Sequence, residues 1–322
     1  NYKVSLKKII SIGLLTLILI LFACFESEGP SDKPPVSNAQ SFGTFNIKII
    51  PEDVEAGDPA YTTIVGSMCD GPSPPEIIFK EVMTSGSCKL MKAVSPFCSE
   101  NCVLGSKCVA EDSCMPEPKV ISVGNVTVKG MINKGEKTAF TMEPDEYFNY
   151  QMVNVPLDYP PFSTGDTITL SAAGSGSAGA FEIKVLGITP LVVLSDTLEL
   201  ADGKDITIKW EPPAKSGVSK IYVRMNISYH GGTKGEIQCE AEDNGSLTIP
   251  GAMLDKLKSY GFAGWPCVYI TRRSTGIDEV SKAKAVVECT ITKLLTIPGL
   301  KSCNNQPGEC PEGQTCVDRR CQ

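Results

Sequence analysis

Residues 220–229, KIYVRMNISY, alternate apolar and polar side chains without a break. Ile221, Val223, Met225 and Ile227 fall on one side, and Tyr222, Arg224, Asn226 and Ser228 on the other. A period of two belongs to a strand with one buried and one wet face. The segments around it behave alike. Ile206, Ile208 and Trp210 share a face in DITIKW, and ITLSAAG, AFEIKVLG, GEIQCEAE, VYITRR and AKAVVECTIT have strand composition. Gly, Pro, Asn and Asp separate these runs at short intervals, which predicts an antiparallel β-sandwich over residues 119–298. One short helix interrupts it. PGAMLDKLKSYG has Pro250 near its start, Gly261 past its end, and Met253, Leu254, Leu257 and Tyr260 on one face. Upstream, GTFNIKII, TTIVGSMC, PEIIFKEV and CKLMK predict a small N-terminal β domain over 43–92. The fold class is therefore mainly β.

Between and beyond these regions lie two cysteine-rich stretches, 93–118 and 299–322. CVLGSKCVAEDSC (102–114) and CPEGQTCVDRRC (310–321) share a Cys, a Gly three residues on, a second Cys at the same spacing, a Val and a last Cys. Cys98 and Cys303 precede them. Both are too poor in apolar residues to build a core, so they must be stapled mini-modules. Four clustered thiolates could also hold zinc or an iron–sulfur cluster, and the choice depends on the compartment.

The N-terminus decides that choice. Lys3, Lys7 and Lys8 precede an apolar run, Ile9 to Phe22, of fourteen residues. Spanning a bilayer takes roughly 20. A basic head and a short apolar core fit an export signal over residues 1–23. The run ends in LFAC, which resembles the bacterial lipobox, whose cysteine, here Cys24, is acylated. Residues 24–42, with FESEGPSDKPPVSNAQS, are polar and Pro-rich and read as a flexible tether on the order of 20 Å long. In the lipoproteins that LFAC resembles, an Asp after the cysteine goes with inner-membrane retention; the resemblance therefore implies the outer membrane for Phe25 in that place. An exported chain folds where disulfides persist, so the modules are expected to be disulfide-bonded, with no metal and no cofactor.

Fourteen cysteines, less Cys24, leave an odd number. Of the three connectivities open to each module, first-to-third and second-to-fourth is expected: Cys98–Cys108, Cys102–Cys114, Cys303–Cys316 and Cys310–Cys321. Cys69–Cys88 is left over. Cys239 is in phase with Ile237, and Cys289 with Val287 and Ile291, so both face the core; either they bridge the sheets or they are two buried thiols. The bridge is the expectation. Cys267 shares its phase with Tyr269 and Thr271 and is expected to be the free thiol.

Composition and motifs bound the function. The chain has 30 Lys+Arg and 37 Asp+Glu; removing the three signal lysines gives 27 − 37 = −10. So acidic a chain argues against nucleic acid as a partner. GSGSAG satisfies G-x-G-x-x-G at Gly174, Gly176 and Gly179, but a strand follows where a pyrophosphate needs a helix N-terminus, so it reads as a hairpin loop. His230 is the only histidine, stands at a Gly-rich corner, and has no G-x-S-x-G elbow to serve. Glu242 and Asp243 in AEDNGS could touch calcium, although Asn244-Gly245 makes a hairpin turn the simpler reading. No catalytic residue is expected.

Several stretches together resemble cell-envelope lipoproteins of gliding, predatory deltaproteobacteria of the myxobacterial type: PFCSENC, KVISVGNVTVKG, PPFSTGDTITLSAAG, SYHGGTKGEIQCE and GSLTIPGAMLDKL. The likeness covers roughly residues 44–295. In that family the position of Cys267 is usually not cysteine, which agrees with leaving it unpaired. The C-terminal module resembles small Dickkopf-type or EGF-like repeats. The resemblance implies an envelope lipoprotein, attached to the membrane by its lipid and facing the periplasm or the cell surface. A binding module for a protein or polysaccharide partner is expected. The alternative is a secreted hydrolase acting on envelope or prey polymers.

Overall fold

The computed structural model describes residues 42–54, 56–176, 178–227, 233–261, 266–299, 301, 303, 308–317 and 320–321. Cys24, the signal, the tether and His230 lie outside the described residues. In chain order the strands are β1 (Gly43–Ile50), β2 (Tyr61–Cys69), β3 (Ile78–Ser85), β4 (Cys88–Val94), β5 (Ser106–Ala110), β6 (Ser113–Pro116) and β7 (Val120–Ile121). Then come β8 (Val126–Asn133), β9 (Glu136–Met142), β10 (Asn149–Gln151), β11 (Thr167–Ala172), β12 (Phe181–Leu186), β13 (Leu198–Glu199) and β14 (Ile206–Lys209). The chain ends with β15 (Lys220–Asn226), β16 (Gly235–Glu242), β17 (Ser246–Ile249), helix α1 (Gly251–Lys258), β18 (Cys267–Asp278), β19 (Ala283–Thr296), β20 (Cys316–Val317) and β21 (Arg320–Cys321).

The protein is mainly β, with one helix among the described residues. Its frame is a large sheet in the order β10-β2-β1-β19-β18-β15-β16-β4-β3, with β7 beside β2 and β13 beside β19. A four-stranded sheet, β12-β11-β8-β9, packs on one face of it, chiefly where β12 meets β18 and β19. The layers come close enough that a Cβ on Gly276 of β18 would lie 2.0 Å from the Lys184 carbonyl oxygen of β12. Beside that crossing, the Ser274 hydroxyl donates to the Leu186 carbonyl. Phe45 of β1 spans the layers, its ring 5.5 Å from Phe181 and 5.7 Å from Tyr150.

The alternation of residues 220–227 is the alternation of burial. Ile221, Val223, Met225 and Ile227 are buried in the core, while Tyr222 and Arg224 face outward. Ile206, Ile208 and Trp210 are buried as well. The helix presents Met253, Leu254 and Leu257 to the same core, and the Asp205 carboxylate accepts the Gly251 N–H at 2.8 Å at its start.

Two expectations about organisation change. The N-terminal strands do not stand apart as a domain over 43–92: β1 and β2 join the large sheet beside β19, and β3 and β4 join it beside β16. The sandwich is not purely antiparallel either, since β1 and β13 each run parallel to β19. The strand runs read from the sequence are strands, although β3 starts at Ile78 and not at Pro75, and β9 and β17 are not among them; a strand's own pattern does not name its neighbour.

The disulfides follow the same logic. Within the modules the bridges are Cys98–Cys108, Cys102–Cys114, Cys303–Cys316 and Cys310–Cys321. The fifth joins Cys88 of β4 to Cys239 of β16, directly opposite each other, with Cα atoms 4.0 Å apart. This corrects both remaining pairings. Cys69 on β2 is six strand spacings from Cys88, roughly 29 Å, and Cys289 on β19 is three from Cys239, roughly 14 Å. A disulfide needs its Cα atoms within about 7 Å. Cys289 keeps its thiol, buried, with its sulfur accepting the Leu191 N–H at 3.2 Å. Cys267 keeps the expected phase but is buried, opposite Leu294.

The Cys88–Cys239 bridge closes a sequence separation of 151 residues. By the chain-entropy estimate this is roughly 5 kcal/mol. Cys239→Ser and Cys88→Ser should therefore each lower the denaturant midpoint sharply, while Cys289→Ala lowers it far less, as urea unfolding curves will show.

Candidate functional site

The acidic turn AEDNGS contains the most deeply engaged carboxylate described in the molecule, and it is not a surface ligand. Asp243 continues the inward phase of Ile237, Cys239 and Ala241 and is buried at the end of the hairpin. Arg272 of β18 approaches it from the adjacent core, its Nε 2.6 Å from Oδ2 and an Nη 3.0 Å from Oδ1. Trp210 Nε1 donates to Oδ1 at 2.8 Å and the Ser219 hydroxyl to Oδ2 at 2.7 Å. The remaining guanidinium N–H groups donate to the carbonyls of Thr189, Pro190 and Glu211. Every donor of Arg272 and both oxygens of Asp243 are thus used, the condition under which a buried pair is tolerated. The cluster has no open coordination position, so the possible calcium contact at Asp243 gives way to a structural role.

Other reactive groups among the described residues are engaged or unsuited to catalysis. GSGSAG is a hairpin tip between β11 and β12, with Ser175 bridged to Ala178. Burial raises the Cys289 thiol above its usual range, the reverse of what a nucleophilic cysteine needs. Burial pushes the nearby Tyr159 phenol up to about 12, and its hydroxyl finds no hydrogen-bond partner. A groove of about 630 Å³ beside β1, β2 and β10 holds Glu143 and Asp145. Backbone N–H groups of Asn149 and Tyr147 bind the Asp145 carboxylate, and the Asn149 bond is the main cause of its lowered pKa. A carboxyl held ionised is a poor proton donor at neutral pH. In the modules, Cys98, Cys102 and Cys114, and likewise Cys303, Cys310 and Cys321, bring their sulfurs within 4.8 Å of one another. That is metal-like spacing, but all six are in disulfides, and a disulfide sulfur is not a thiolate ligand.

The arrangement that remains is the outer face of the large sheet, which the four-stranded sheet leaves uncovered. Register lines its polar residues into rows. Gln238, Arg224, Tyr269 and Thr292 lie side by side across β16, β15, β18 and β19, a span of roughly 14 Å. The next row is Glu240, Tyr222, Thr271 and Thr290, with the two threonine hydroxyls 2.9 Å apart. Beyond it stand Lys220, Arg273, Glu288 and Lys48. Arg273 is spent internally: it donates twice to Glu288, at 2.7 and 3.1 Å, and lies 4.8 Å over the Tyr222 ring. Arg224 is different. Its guanidinium lies 4.7 Å over the Tyr269 ring, and it donates no hydrogen bond among the described residues. A guanidinium held by cation–π stacking with its fork unspent is preorganised for a carboxylate or another planar acceptor. Glu236, buried nearby and bonded to Gln238, has its pKa raised, chiefly by desolvation.

Sequence reasoning placed Tyr222 and Arg224 on a wet face but did not single them out as a site. The missing information was the register that brings Tyr269 and Gln238 alongside.

No family model matches the chain, and no curated protein matches it. Among solved structures it is similar to chicken CNTN1 FN1-FN3 domains, at 9% identity over 76% of this chain and 84% of that one, with a TM-score of 0.20. It is also similar to a tetra-tandem repeat in the extending region of a large adhesion protein, at 11% identity over 79% and 74%, with a TM-score of 0.18. Likeness at this level carries no inference about partner or mechanism.

Two substitutions test the assignments. Asp243→Ala strands a buried guanidinium and should cost about 3–5 kcal/mol in denaturant unfolding. Glu236→Gln should stabilise the protein at neutral pH. Its folded pKa lies above the ordinary 4.5, so the wild type binds more protons folded than unfolded between 4.5 and that raised value, and it loses stability as pH rises through that window. The gain from Glu236→Gln should accordingly vanish below about pH 4.5 in melting curves taken across pH.

Proposed function

We propose that this chain is a lipid-anchored protein of the bacterial envelope that serves as an interaction module and performs no catalysis. The observation that carries the reading is Arg224, stacked on Tyr269 within a registered polar row and with its donors unspent. Among the described residues the other reactive groups are consumed by structure, whereas this one faces outward, attracted to the Glu236 carboxylate but not hydrogen-bonded to it. A carboxylate-bearing protein or polysaccharide suits the fork, with Gln238 and Thr292 beside it to accept and donate further bonds. The five disulfides support a life in an oxidising space. The basic head, short apolar core and LFAC support attachment through Cys24, and Phe25 favours the outer membrane.

Replacing Cys24 with Ala should release the protein from the membrane fraction and change its mobility; an unchanged distribution would refute the anchor. For the recognition face, the chain from Phe25 onward can be screened against acidic envelope polysaccharides and outer-membrane extract. Arg224→Ala should weaken capture by about tenfold or more without changing the melting temperature, and Arg224→Lys should fail to restore it because a point charge lacks the fork.

A further inference from the structure

Four of the exposed apolar side chains, Val103, Leu104, Tyr147 and Val280, lie toward one end of the large sheet, the end where the chain enters the fold, while others such as Val54 and Leu294 stand toward the opposite end. Phe42 donates its N–H to Lys282 and accepts from Cys69, at 2.9 and 2.6 Å. Lys282 closes the turn between β18 and β19, and that turn carries Val280, 91% exposed. Asp70, after Cys69, bonds to Lys119, and Glu117 two residues earlier bonds to Gly105. The turn at Gly105 carries Val103 and Leu104, 75% and 105% exposed. Antiparallel pairing of Asn149 with Ser67 directs the 145–148 turn to the same end, with Tyr147 68% exposed.

The second module provides an internal comparison. Ser106 donates to the Val103 carbonyl, and Gln314 donates to the Pro311 carbonyl in the same way. Gly105 and Gly313 have matching φ of 80° and 85°. One scaffold thus carries Val-Leu in the first module and Pro-Glu in the second, so neither the turn nor its disulfides require an apolar tip. Three separate turns each lift an apolar side chain off the protein where the chain enters the fold.

We infer that this end is a membrane contact: Val103, Leu104, Tyr147 and Val280 enter the interfacial layer of the bilayer. The inference rests on reading Cys24 as the lipid anchor. Seventeen residues separate Cys24 from Phe42. On the tether reading of that stretch its ends would average on the order of 20 Å apart, which favours this end over the far one for contact with the bilayer. Apolar tips with an aromatic residue among them suit the headgroup boundary, and lipid anchoring gains from a second contact. The net charge of 27 − 37 = −10 without the three signal lysines makes the contact hydrophobic in origin, so it should favour zwitterionic lipid and resist salt. It would fix the sheet upright and leave the Arg224 face looking sideways.

The test uses the chain from Phe25 onward, which contains every described residue and lacks Cys24, with excess phosphatidylcholine vesicles. Leu104→Trp should show blue-shifted fluorescence that brominated lipid quenches; Val54→Trp, at the opposite end of β1 and 82% exposed, should show neither. Leu104→Asp combined with Val280→Asp should lower vesicle partition by about tenfold or more, with salt having little effect. Peptide mapping of the five bridges and an unchanged melting temperature confirm that the variants fold. Absence of quenching at position 104, equal loss for Val54→Asp, or a protein dimer that Leu104→Asp dissolves would each overturn the inference. Because the assay omits Cys24, vesicle insertion alongside a failed Cys24→Ala fractionation would fault only the anchor.

Discussion

The buried ion pair between Arg272 and Asp243 is the constraint on which the sandwich depends. Removing two charges from water is costly, and only a complete set of partners offsets it. Those partners come from different parts of the chain: Trp210 after β14, Ser219 before β15, and the carbonyls of Thr189, Pro190 and Glu211. Satisfying one guanidinium therefore positions the connection after β12, the end of β14, the start of β15 and the hairpin after β16. A purely apolar core would tolerate some sliding of these elements, whereas this cluster has one arrangement in which no polar atom is stranded. The outer rows inherit that precision, because Arg272 and Arg273 are neighbours on β18 with opposite facing.

Much of the fold was legible because it is local. Alternation at Ile221, Val223, Met225 and Ile227 identified the buried face correctly, and Met253, Leu254 and Leu257 marked the helix stripe. The module bridges were legible for the same reason, since short loops with repeated spacing leave few partners. The misassigned features are all non-local. Cys88 and Cys239 face inward as their phase requires, but phase does not reveal that β4 lies beside β16. Asp243 beside Asn244-Gly245 has the composition of a solvated turn, and only the arrival of Arg272 turns it into a core residue. The candidate face at Arg224 was half visible: its outward direction follows from the period of two, its aromatic partner from register.

The surface divides into regions with different chemistry. The outer rows of the large sheet are charged and hydrogen-bonding, with rings lying under guanidinium groups. The end of the sheet where Phe42 enters carries isolated apolar tips on turns. A single interaction surface would mix these features, an apolar centre inside a polar rim. Their separation by direction suits a protein with two kinds of neighbour at once. In this reading the disulfide modules serve as rigid mounts: a stapled turn can hold Leu104 in water without collapsing onto the core.

On the export proposed above, with the N-terminus crossing first, the parallel pairing of β1 with β19 sets a schedule for folding. Strand β1 emerges first, yet one of its two neighbours is nearly the last long segment to arrive. Cys88 likewise waits for Cys239. Until then β1 and β2 are a hairpin with an open apolar edge, an aggregation hazard in a crowded compartment. The large sheet cannot close piece by piece during transit. It forms only once nearly the whole chain is across, so secretion must outpace misassociation, or a holding chaperone must cover the interval.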